Sequence, residues 1–115
     1  MTKIRIMKKI IKSLPTFRIL NGLVQVNQGD DFVCLTKNDI NALRMLTEGK
    51  FDTNVYTTRV NHVRLQYLTD GSFLATCEGN VVCITPKAFR LLQKFKKQNS
   101  QKILWDMDFR RHKRY

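Results

Sequence analysis

Val33-Cys34-Leu35-Thr36 runs into Lys37-Asn38-Asp39-Ile40-Asn41-Ala42-Leu43-Arg44-Met45-Leu46, and 49 residues later Val82-Cys83-Ile84-Thr85 runs into Pro86-Lys87-Ala88-Phe89-Arg90-Leu91-Leu92-Gln93-Lys94-Phe95. Val, Cys and Thr recur identically, as does Leu43 in Leu92, while Leu35/Ile84 and Ile40/Phe89 are conservative. Upstream, at the same spacing and without a gap, Asn21-Gly22 falls on Asp70-Gly71. Apolar residues match by chance, so the identities alone carry little weight. Turn, strand, cap and helix signals falling in the same order carry more. The pattern reads as a duplication and predicts an α+β domain of two tandem βββα repeats, about 16–49 and 62–98.

Within the first repeat, Thr16 to Leu20 leads into Asn21-Gly22, the dipeptide that best tolerates the positive φ angles of a tight hairpin. Leu23 to Gln28 returns, with Val24 and Val26 on one face and Gln25 and Asn27 on the other, which implies a sheet with one wet face. Gly29-Asp30-Asp31 turns again and Phe32 to Leu35 is the third strand. Thr36 suits a helix N-cap, and Asp39 places an acceptor and a negative charge three residues on. Ile40, Leu43 and Leu46 form the buried stripe, and Gly49 stops the helix. Lys50 to Thr58 reads as a connector, with Phe51 and Tyr56 as anchors onto the sheet.

The second repeat has the same plan: His62 to Thr69, the turn Asp70-Gly71, Ser72 to Glu78, the turn Gly79-Asn80, and Val81 to Ile84. Thr85 caps the second helix and Pro86 takes its first position, where a missing N–H costs nothing. Both helices are amphipathic. The second carries Lys87, Arg90, Lys94 and Lys97 around a stripe of Phe89, Leu92 and Phe95.

A chain of 115 residues is the size of one domain and can bury a core without disulfides or metal. Its 43% hydrophobic and 26% charged residues place it among globular rather than disordered chains. It holds no apolar run of about 18 residues, and its start is basic throughout, without a signal peptide's apolar segment, which argues against a membrane span and against export. Three cysteines, Cys34, Cys77 and Cys83, read as free thiols of an intracellular protein; Cys77 and Cys83 flank a hairpin turn and can face each other.

The net charge is +12, and its distribution says more than its size. Residues 1–12 contribute +5, residues 86–115 contribute +8, and residues 13–85 sum to −1. Concentrated charge of one sign repels itself and is expected where a polyanion partner compensates it. The first 14 residues read as a basic amphipathic arm with Lys8, Lys9 and Lys12, short and without an aromatic anchor for a membrane surface, and therefore as an arm on nucleic acid or a packed first helix. Residues 99–115 read as a C-terminal arm and tail. In it Ile103, Trp105, Met107 and Phe109 alternate as in an edge strand or an arm wrapping a partner subunit, ahead of Arg110, Arg111, Lys113 and Arg114.

No Gly-rich phosphate loop, zinc-spaced His/Cys set or catalytic triad signature is present, so the expectation is a non-enzyme with no cofactor and no metal. Only His62 and His112 offer imidazoles, and the lesser alternative, a ribonuclease toxin, would use His62 with a nearby Asp or Arg. Binding remains. Cations hold phosphates, and flat side chains on a wet sheet face stack bases, each worth roughly 1–3 kcal/mol. Candidates on the sheet are Arg18, Gln25, Asn27, Arg64, Gln66, Tyr67 and Phe73, the last two reading rather more readily as core. The phosphate contacts would be Lys87, Arg90, Lys94 and Lys97 with the tail arginines.

Ile84-Thr85-Pro86 with Phe89 and Leu92, echoed by Leu35-Thr36 with Ile40 and Leu43, resembles the strand-to-helix junction of the positive-cofactor-four family of single-stranded-DNA-binding coactivators and, more remotely, the Whirly proteins. The resemblance covers about fifteen residues per half. It implies a curved antiparallel sheet gripping single strands, with the two halves standing in for a dimer. Three strands before each helix rather than four, and no Lys-Gly-Lys motif, depart from that pattern. A duplicated three-strand wing, like that of a phage transcription activator's DNA-binding domain, fits the strand count and would imply duplex binding.

The expected function is therefore nucleic-acid binding through backbone electrostatics, to single-stranded DNA or RNA. The alternative is a small viral or regulatory factor docking on a polymerase, a ribosome or a second copy through Trp105.

Overall fold

The computed structural model describes residues 14–106. They form β1 (Thr16–Leu20), β2 (Leu23–Gln28), β3 (Asp31–Leu35), α1 (Lys37–Thr47), β4 (Val55–Thr57), β5 (Arg64–Tyr67), β6 (Phe73–Cys77), β7 (Asn80–Ile84), α2 (Pro86–Gln98) and a 3-10 turn at Ser100–Lys102. The chain is mixed α+β, with two antiparallel sheets in the orders β1-β2-β3 and β4-β5-β6-β7.

Local chemistry explains most boundaries. Asn21 and Gly22 both take positive φ, 53° and 81°, and join Leu20 to its partner Leu23 in a two-residue turn. Thr36 accepts from Asp39 N while the Asp39 carboxylate accepts from Thr36 N, a complete capping box at the head of α1. Thr85 accepts from Ala88 N at the head of α2, and Pro86 follows at the first helical position.

Several expectations shift. The segment read as a connector contains β4, which pairs Tyr56 with Leu65, so the second sheet has four strands. Cys77 pairs with Asn80, so the last hairpin turns at Glu78-Gly79, one residue earlier than the dipeptide Gly79-Asn80 suggested. That register also separates Cys77 from Cys83, whose cross-strand partner is Leu74; all three thiols are free. Val26 pairs with Phe17 whereas Ala75 pairs with Leu65, so a gapless 49-residue offset fails at the first hairpins, where Leu68–Ser72 replaces a two-residue turn. Ile103 to Asp106 contains no strand. Leu104 instead donates to Gly22 O at 2.8 Å and accepts from Lys37 N at 3.0 Å, tying the segment to the first hairpin and to α1. The basic arm and the tail from Met107 onward lie outside the described residues.

A single core draws Val24, Val26, Val33 and Leu35 from the first sheet, Leu65, Phe73, Ala75, Val82 and Ile84 from the second, and Ile40, Leu43, Leu46, Ala88 and Leu92 from the helices. Phe95 of α2 meets Phe17 of β1 at 5.7 Å and Phe89 meets Phe73 at 5.2 Å, so α2 packs on both sheets. Full burial of side chains such as Leu92 or Phe73 stabilises by roughly 1.5–3 kcal/mol each. The rims of β3 and β7 face one another and are stitched by side chains. Asn80 accepts from Phe32 N at 3.3 Å, Asp31 accepts from Val81 N at 3.1 Å, and Gln28 pairs with the Cys83 backbone. Each rim thereby loses open groups that would otherwise invite another strand.

Candidate nucleic-acid interface

An α-helix turns 100° per residue, so Lys87, Arg90, Lys94 and Lys97 fall within an arc of roughly 80° and extend for about 15 Å. Ala88 and Leu92 point the opposite way, into the core. All four cations are exposed. The ion pair found among the described residues is Arg44–Glu48, at 4.0 Å on the other helix, so this stripe faces solvent without acids. Lys87 also sits beside the positive end of the α2 dipole, where no acid stands in the first turn. Lys96 and Lys97 occupy the last turn, where the dipole favours them.

The remaining candidates divide. Arg18 is exposed on the outer face of the first sheet, in one cross-strand row with Gln25 and Cys34, but Gln25, expected on a wet face, is itself buried at 9% exposure. Asn27 lies in the next row and donates to the Gln25 side chain at 3.2 Å. Arg64 is exposed on the outer face of the second sheet and donates to Gln66 at 3.4 Å. Tyr67 pairs with Phe73 on the inner face, ring centroids 5.1 Å apart, and packs on the core. The register therefore removes both aromatics from the wet faces. The aromatic found there instead is Phe32, 43% exposed and paired with Asn27. Its phase against Val33 and Leu35 was the available signal, because residues one apart on a strand point to opposite faces. Lys8, Lys9, Lys12, Arg110, Arg111, Lys113 and Arg114 lie outside the described residues.

Cations that the sequence pattern did not single out gather between the helices. Lys96 donates to Asn41 Oδ1 of α1 at 2.5 Å. Partial burial, and then the positive charges of Arg44 and Lys37, hold its ammonium below the ordinary lysine value. A cleft of about 530 Å³ beside it is lined by Gln93, Lys94, Lys96, Lys97 and Ser100. Lys37 also lies over the ring of Trp105, 5.3 Å from its centroid, and Trp105 is 38% exposed.

Two carboxylates are buried at the head of α1. Thr36 Oγ1 donates to Asp106 and accepts from Asp39 N. Burial first, and Asp106 among the lesser causes, pushes the Asp39 carboxyl up to about 6, and its Oδ1 is buried without a partner. Desolvation raises all three thiols above the ordinary cysteine value. His62 is exposed in a turn at φ 56°. Among the described residues no helix is long and apolar enough to cross a membrane, and no cluster of three His, Cys, Asp or Glu is placed to hold a metal.

No family model, curated protein or solved structure matches the chain.

Proposed function

We propose that the protein binds nucleic acid without catalysing a reaction, taking single-stranded DNA or RNA through contacts to its backbone. The observation that carries this reading is the exposed, acid-free row Lys87, Arg90, Lys94 and Lys97 on α2. Phosphates recur about every 3.4 Å of axis along one strand of a duplex and are spaced more widely along an extended single strand, so a row of about 15 Å runs beside more than one of them in either case.

The finer architecture belongs to the same reading: two βββα repeats related by an approximate two-fold axis, with β4 as an extra strand ahead of the second. Asp31 and Asn80 stand 49 residues apart, as do Phe32 and Val81. Phe32 N donates to Asn80 and Val81 N donates to Asp31, so this contact maps onto itself when the halves are exchanged. The four strands ahead of α2 also match the strand count of the positive-cofactor-four and Whirly pattern in that half. These features favour a fused pseudo-dimer.

The exposed Trp105 favours a second reading, docking on a protein partner. Titration of labelled single-stranded DNA, duplex DNA and RNA at 50 and 200 mM salt decides between them. With six or more phosphates neutralised, affinity is expected to fall on the order of a thousandfold over that range. Absent or salt-insensitive binding overturns the nucleic-acid reading. A Trp105→Ala variant that loses a protein partner while keeping oligonucleotide affinity supports the second.

A further inference from the structure

We propose that the cleft beside Lys96, where α2 meets α1, seats the phosphodiester backbone of a single strand, with Lys96 in its lining and Arg44 and Lys37 on the adjoining face of α1. This rests on the nucleic-acid reading and adds Lys96, Arg44 and Lys37, which lie outside the α2 row, to the strand's contacts.

The geometry starts from one hydrogen bond. Lys96 Nζ reaches Asn41 Oδ1 at 2.5 Å, so the face of α1 bearing Asn41 is turned toward α2. Lys37, Asn41 and Arg44 stand at i, i+4 and i+7, within an arc of roughly 60°, so both cations share that face. Beside Lys96 a cleft of about 530 Å³ is lined by Gln93, Lys94, Lys96, Lys97 and Ser100, all from α2 and the turn after it, with no acid among its lining residues. Of the acids of α1 and its C-cap, Asp39 is buried at the head of the helix and Glu48 is exposed at 4.0 Å from Arg44, a pair worth little in water.

Like charges gathered around a half-buried ammonium oppose one another. Lys96 carries that burden from burial, Arg44 and Lys37, and an anion in the cleft relieves it. Asn41, Gln93 and Ser100 add neutral groups able to donate to phosphate oxygens. Lys94 and Lys97 belong both to the cleft and to the outer row of α2, so a strand following that row enters the cleft without leaving its cations. A cleft of about 530 Å³ admits the backbone of one strand, whereas a duplex can present only one of its strands to the rim. Nothing lining the cleft is flat, so the contact would read backbone rather than base.

The test uses the full chain and a labelled 20-nucleotide oligothymidine. Wild-type protein is compared with Lys96→Gln/Arg44→Gln, with Lys96→Arg, and with Lys50→Gln/Arg59→Gln, which removes two exposed cations elsewhere. Circular dichroism melts establish that each variant is folded at the assay temperature. The cleft variant is expected to lose about tenfold in affinity at 50 mM salt, and its slope of log affinity against log salt is expected to shrink by about 1.4, two phosphates at about 0.7 each. Lys96→Arg should retain binding and the remote variant should retain the slope. If wild-type protein binds no oligonucleotide, the nucleic-acid reading itself falls. If it binds and the cleft variant keeps its slope, or loses no more than the remote variant, the cleft assignment is overturned while the reading of the α2 row stands. Duplex DNA competing as well as the single strand overturns the choice of ligand.

Discussion

The Gln28 carboxamide pairs with the backbone of Cys83 as a neighbouring strand would, its Oε1 accepting from Cys83 N at 2.7 Å and its Nε2 donating to Cys83 O at 3.0 Å. Gln28 is 3% exposed and Cys83 1%, so water cannot substitute. Gln28→Leu keeps the volume but leaves a buried N–H and a buried C=O without partners, each at about 1–3 kcal/mol. The expected loss is about 2–4 kcal/mol, read as a lower urea midpoint at unchanged slope. A loss under about 0.5 kcal/mol would mean that the two sheets do not depend on this contact.

Asp39 makes stability depend on pH in an unusual direction. Its carboxyl is raised from 3.8 to about 6, chiefly by burial. A raised value means that the folded state holds the proton more tightly than the unfolded state. The resulting stabilisation is complete below about pH 3.8 and is lost as pH rises through about 6, amounting to about 3 kcal/mol for a shift of roughly two units. Asp39→Asn retains an acceptor for Thr36 N and removes the titration. The difference in unfolding free energy between wild type and variant is therefore expected to swing toward the variant between pH 4 and pH 7. A flat difference curve would place Asp39 at an ordinary carboxylate value.

Gly22 lies at φ 81°, and a Cβ built there would stand 2.6 Å from Leu104 Cγ and Cδ1. Gly22→Ala combines backbone strain of about 1–3 kcal/mol with displacement of the segment that Leu104 anchors through Gly22 O and Lys37 N. A loss of about 2–4 kcal/mol is expected in thermal or urea unfolding. Adding Leu104→Ala should recover the steric part but not the strain. Full additivity of the two substitutions would show that the side chains do not meet.

Features set by neighbours in sequence were legible, and features set by tertiary register were not. Thr36 and Thr85 announce their helices because a cap is a contact over three residues. The α2 row is legible because its period is that of the helix itself. The turn at Glu78-Gly79 depends on Ala75 meeting Val82 across the hairpin, which a dipeptide does not encode. The same register settles Tyr67 and Phe73, readable from the sequence as core or as wet face, on the core side, whereas the outward Phe32 was legible from its phase against Val33 and Leu35. Ile103 to Trp105 alternates like a strand, yet alternation supplies no partner, and the backbone there bonds to a turn and a helix head instead. The approach of Lys96 to Asn41 spans 55 residues and has no local signature.

The α2 row gives the sharpest test of function because its members support no other visible structure. Lys87, Arg90, Lys94 and Lys97 are exposed, and none forms an ion pair among the described residues. Replacing all four with Gln preserves helix propensity and removes four charges. Folding stability is expected to change by less than about 1 kcal/mol, with the loss of Lys97 from the last turn and the relief at Lys87 in the first acting in opposite senses. Oligonucleotide binding is expected to weaken by at least a hundredfold at 50 mM salt, with the salt slope falling by about 2.8 for a single strand. Restoring Lys94 and Lys97 alone should recover about half of that slope. A variant that binds as tightly as wild type would move the phosphate contacts off α2 and onto the basic termini.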